Sequence, residues 1–169
     1  MQDVADEHGG SRGGVYLYFP SMDKLFQEVI KKRNKEKFSI ISKAIQDNEP
    51  FKTVLANYMA LQKERLLCIE NSFFRAYCEY IFSKPKKAVQ AFRDMQLNPL
   101  RKSVMSIFTL GVNQNVIRNE NISQLVDHFI IVIDGLSVLA LAEALTEEVV
   151  NEQFALLESL VRNIDTNSD

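Results

Sequence analysis

From Ile122 to Leu145 the chain is apolar on nearly all faces of a helix. One stripe holds Ile122, Leu125, Val126, Phe129, Ile133, Leu136, Ala140 and Ala144; another holds Ile131, Val132, Val138, Leu139, Ala142 and Leu145. A helix that is apolar all round has to be covered all round. The most apolar part of the run, Phe129 to Leu145, is broken by Asp134 and Glu143, which argues against a membrane span. The end of the chain repeats the pattern, with Val150, Phe154, Leu157, Val161 and Ile164 on one stripe and Val149, Leu156 and Leu160 beside it. Two such helices carry more apolar area than a small core covers. The sequence therefore predicts a homodimer built on this helix pair, with Phe129, Ile133, Leu136, Ala140, Phe154, Leu157 and Val161 as its interface. The other reading, with both helices in the core of one subunit, stays open.

The rest of the chain is also helical by pattern. Gly and Pro number only 6 and 4 and strand-like alternation is missing, so an all-α fold is expected. Ser21 is placed to cap a helix with Asp23 in its first turn. That helix carries Leu25, Phe26, Val29 and Ile30, a polar waist of Lys31-Lys32-Arg33-Asn34-Lys35-Glu36-Lys37, then Phe38, Ile41 and Ile45. Apolar ends around a polar waist suit a connector between two packed bodies. Helical spacing returns over Phe51–Leu67, Phe73–Phe82 and Lys86–Val112, where Pro99 marks a kink or a split. Thr146, with Glu147 and Glu148, caps the last helix.

Near the start, Asp3-Val4-Ala5-Asp6-Glu7-His8 reads as the end of a helix stopped by Gly9-Gly10. Ser11-Arg12-Gly13-Gly14-Val15-Tyr16-Leu17-Tyr18-Phe19 then gives a cap and a short helix closed by Pro20. Small residues with aromatic hydroxyls suit close approach to a phosphate backbone better than core packing. A net charge of −2 means that any nucleic-acid site is local.

This stretch, with the following Ser-Met-Asp-Lys-Leu-Phe, resembles the helix-turn-helix of the TetR/AcrR family of transcriptional regulators over about residues 2–30. The resemblance implies a partial DNA-binding domain at 1–30 and a helical ligand-binding and dimerisation domain at 31–169. It implies phosphate contacts at Ser11, Arg12, Tyr18 and Ser21, and base-facing positions at Gly13, Gly14 and Tyr16. The family usually begins one helix earlier, so an upstream helix is expected, and without it DNA binding should be poor. Two further departures are Gly10, where the family usually has an apolar residue, and Met22, where many members have a phosphate-binding lysine.

The implied partners are double-stranded operator DNA, a second copy of the chain and a small apolar effector that releases a repressor. The pocket wall is expected from Tyr58, Met59, Gln62, Phe74, Tyr77, Cys78, Phe82, Met105 and Phe108, with Asp134; the same residues also suit plain core packing. Asp134 is left with three readings: a helix cap, a pair across the dimer, or a pocket group. Arg75 and Glu79 are expected to pair on a helix surface. Cys68 and Cys78 read as buried, reduced thiols in a cytoplasmic protein. The two histidines have no metal-ligand spacing, and no Gly-x-Ser-x-Gly, P-loop or Cys-x-x-Cys occurs. No cofactor or metal is therefore expected and no enzyme; the alternative is a helical dimerisation or ligand-binding module that does not bind DNA in this form.

Overall fold

The computed structural model describes residues 6–7, 9, 11–118 and 120–162. The described residues form helices and turns with no β-strand, an all-α architecture. In chain order these are α1 (Arg12–Tyr18), α2 (Met22–Gln46), α3 (Phe51–Leu67), a 3-10 turn (Ile69–Asn71), α4 (Phe74–Phe82), α5 (Lys86–Asn113), α6 (Ile122–Leu141) and α7 (Glu147–Arg162). The chain divides into two compact units, residues 1–39 and 40–169, with the boundary inside α2.

The ends of the helices follow from local chemistry. The hydroxyls of Ser11, Ser21 and Thr146 accept from the backbone N–H of Gly14, Lys24 and Val149 at 3.1, 3.1 and 3.3 Å. Each occupies a donor that a helix start leaves unbonded. Phe19 is extended ahead of Pro20, which ends α1. Asn48 adopts φ +50°, and the N–H of Glu49 returns to the Ala44 carbonyl at 3.0 Å, closing α2. Pro50 offers α3 no side-chain cap. The Gln114 amide supplies one from the C-terminal end of α5: its Oε1 accepts from Phe51 N–H at 2.8 Å, and its Nε2 donates to the Glu49 carbonyl at 2.9 Å.

Two expectations change. Pro99 does not split its helix; α5 runs unbroken through it. The apolar run to Leu145 is not one helix, because α6 stops at Leu141 and Glu143 takes a left-handed conformation with φ +54°.

In the larger unit α5 packs against α3 and α6, and α7 packs against α3 and α6. Phe51, Val54 and Leu55 of α3 meet Val104, Ile107 and Phe108 of α5 in one buried cluster. Val126, Phe129, Ile133 and Leu136 of α6 and Val150, Phe154, Leu157 and Val161 of α7 complete it. Phe108 stands edge-on to Phe129 (centroids 5.3 Å, planes 79°) and tilted to Phe51 at 6.1 Å. Such edge contacts suit the charge distribution of aromatic rings.

Candidate nucleic-acid and ligand sites

The first unit offers α1 as a surface. Gly9 takes φ +63°, the left-handed turn expected before the capped helix. His8, Gly10 and the Arg12 side chain lie outside the described residues. Val15 and Phe19 are half-buried, whereas Ser11, Gly13, Tyr16, Tyr18 and Ser21 are exposed and Gly14 is half-buried. Among the described residues a Cβ added at Gly13 or Gly14 would meet only the Ser11 hydroxyl, at 3.9 and 3.4 Å. Neither glycine needs a left-handed backbone or relieves a clash, yet each costs about 1 kcal/mol of helix propensity. Along α2, the exposed Lys31 donates to Glu28 at 2.8 Å, and this bond holds the Glu28 carboxyl below its ordinary pKa.

The residues expected to line one pocket are dispersed in the larger unit. Phe82 is 83% exposed and cannot wall a cavity there. Phe108 is fully buried among core rings. Met59 borders a hollow of about 320 Å³ formed with Phe51, Leu55, Ala56, Ile117 and Val161, next to Lys52, Glu158 and Arg162. Met105 borders a separate hollow of about 410 Å³ with Thr109, Val112 and Ile122.

Tyr58, Gln62, Phe74, Tyr77, Cys78 and Asp134 remain, and they surround a residue that the sequence reading passed over. Arg65, on α3, donates from Nη2 to Ser137 Oγ at 2.9 Å, and Ser137 donates to the Ile133 carbonyl at 2.7 Å. The guanidinium lies 5.7 Å from the Phe74 ring centre, and Phe74 stacks with Tyr77 at 5.9 Å. Its Nε is buried and has no hydrogen-bond partner among the described residues. Burial lowers the Arg65 pKa, opposed by the charges of Asp134 and Tyr58. Burial pushes the Tyr58 phenol upward, Arg65 works against it and Asp134 with it, so Tyr58 is a neutral donor. Burial, Asp134 and Glu79 raise the Cys78 thiol. Asp134 thus acts on α3 and α4 groups of its own subunit. Arg75 and Glu79 pair at 3.3 Å as expected, and Cys68 is exposed rather than buried.

The residues expected to form a dimer interface face inward instead. Phe129, Ile133, Leu136, Phe154, Leu157 and Val161 belong to the subunit core, and Ala140 is half-buried. A surface contact on these helices falls to the other stripe. Ile131 (68%), Val138 and Leu139 on α6 and Leu156 (58%) on α7 are all exposed. By length and composition alone α6 could cross a membrane; one such helix is also what a core helix of this kind looks like.

A capped short helix bearing glycines and exposed tyrosines, followed by a capped long helix, is the arrangement of a helix-turn-helix. Residues 1–29 match the family described as bacterial regulatory proteins, tetR family. Over these residues the chain is similar to that family. Over 81 residues it is 30% identical to YfiR, an uncharacterized HTH-type transcriptional regulator of Bacillus subtilis (strain 168), an alignment covering 48% of this chain and 39% of that relative. The chain thus spans under half the length of the curated relative it matches. No solved structure matches it.

Proposed function

We propose that the protein is a DNA-binding transcription regulator that works as a cytoplasmic homodimer, and that it is a repressor released from its operator by a small effector held in the larger unit. The observation that carries the DNA-binding part is α1: two glycines without internal necessity beside exposed Tyr16 and Tyr18. Local rules broken without a packing reason point to function. Ser11, Arg12, Tyr18 and Ser21 contact phosphates and fix register. Gly13 and Gly14 let the backbone come close, and the Tyr16 ring meets a base edge such as a thymine methyl. With so few side chains on bases, specificity also draws on DNA shape and on two half-sites read together.

The test is a titration of the full-length protein against its own upstream intergenic DNA in low and moderate salt. Binding should saturate and outcompete random DNA. Tyr16→Ala and Arg12→Ala should each weaken it with the oligomeric state unchanged. Arg12→Ala should also flatten the log–log salt slope by about 0.9, the share of one phosphate. Unaltered affinity in both variants would remove these residues from the interface.

A further inference from the structure

We propose that the effector is a neutral aromatic compound carrying a carbonyl oxygen, with the oxygen taken by Arg65 Nε and the ring laid against Phe74 and Tyr77. The proposal rests on the reading that the larger unit holds an effector, and it names the chemistry of that effector. A buried guanidinium N–H without an acceptor is costly, and an arginine cannot relieve the cost by giving up its proton. Such groups call for an explanation, and a ligand that arrives to complete the bond is one.

The surroundings select among acceptors. Nη2 is already bonded to Ser137, and Nε is the buried donor left without an acceptor among the described residues. One donor suits one carbonyl oxygen rather than the paired bonds a carboxylate makes. The negative charge of Asp134 already acts on Arg65, Tyr58 and Cys78. A second carboxylate here would add like charge in a poorly solvated place. What the cluster lacks is an acceptor, not a counter-charge. The apolar part is set by Phe74, over whose ring the Arg65 guanidinium lies, and by Tyr77, which stacks with Phe74.

Benzamide and benzoate have nearly the same shape and differ in charge, so they make the test. Binding of each to the full-length protein is measured by ligand-observed NMR titration. Benzamide should saturate and bind at least about tenfold more tightly than benzoate, and Arg65→Met should lose about tenfold, as expected for a hydrogen bond to a charged donor. Benzoate binding as tightly, benzamide binding unaltered in Arg65→Met, or no benzamide binding would each overturn the proposal. If Arg65→Met does not fold, Ser137→Ala serves: it releases Nη2 as a second donor, so benzamide should bind more tightly, and unchanged or weaker binding counts against the site. Operator titrations with the same compounds separate the two readings. Benzamide bound through Arg65 without effect on DNA would uphold the site and overturn release. Release by aromatics that lack a carbonyl would uphold release and overturn this ligand class.

Discussion

Of the two glycines in the larger unit, Gly111 is the crowded one. It lies inside α5, and a Cβ there would stand 2.9 Å from two ring atoms of Phe51 and 3.0 Å from Ile117 Cδ1. Phe51 cannot yield easily, because its ring is buried against Phe108 and its own N–H is held by Gln114. Two effects of Gly111→Ala compete. Alanine gains about 1 kcal/mol of helix propensity. Overpacking a filled core costs about 1–3 kcal/mol. With ring atoms as the obstacle the clash wins, and Gly111→Ala should destabilise the protein by about 1–2 kcal/mol. Urea denaturation read by circular dichroism checks this; an unchanged or higher midpoint would mean that Phe51 has space the structure does not give it.

At the level of elements, one ion pair joins α5 to α6. Arg101 donates from Nε to Asp127 Oδ1 at 2.6 Å and from Nη2 to Oδ2 at 3.1 Å, with Nη2 also on Ser123 Oγ at 2.7 Å. The hydrogen bond from Arg101 holds the Asp127 carboxyl below the ordinary aspartate range; burial opposes it and the Arg101 charge adds to it. A depressed folded pKa means that the unfolded chain binds the proton more readily. The stabilisation is therefore present above the unfolded aspartate pKa and is lost as pH falls through the folded value. Asp127→Asn should lower the melting temperature slightly at neutral pH, since both partners are solvated, and the difference should close in acid. A gap that persists at the lowest pH would mean that Asp127 acts by packing rather than charge.

The same elements mark what the sequence could reveal. Helix starts at Ser11, Ser21 and Thr146 are legible because a capping hydroxyl bonds a donor three residues on. The Arg75–Glu79 pair is legible for the same local reason. The period of α6 and α7 gives two apolar stripes, yet which of them faces the core depends on where α3 and α5 pass, and no local spacing encodes that. Gln114 capping a helix from 63 residues away is equally invisible. Arg65 was missed because an arginine in a helix normally reads as surface. Its spacing gave a signal, since it lies one turn of α3 beyond the buried Gln62 and two turns beyond the buried Tyr58. Phe82 was misplaced by the converse habit, an aromatic assumed to be inside.

On the scale of the whole molecule, the open question is what covers the outer stripe of α6 and α7. Ile131, Val138 and Leu139 lie on one face of α6, Leu156 lies on α7, and these two helices pack against each other. Scattered apolar surface residues are ordinary, but several on adjoining helices are the usual mark of an interaction surface. A second copy is the proposed cover, because a two-fold contact lets each copy bury the same stripe of the other. Val138→Glu and Leu156→Glu should then convert the protein to monomers by light scattering, with helix content intact, since neither side chain is needed inside the subunit. Leu157→Glu should instead unfold it, because Leu157 is 1% exposed and a carboxylate there would be buried unpaired, costing several kcal/mol. The monomeric variants should also lose tight operator binding, since a lone subunit reaches one half-site and forfeits the tethered second contact. Dimers that survive both surface charges would move the interface elsewhere. Monomers that still bind an operator as tightly as the parent would break the link between this surface and DNA recognition.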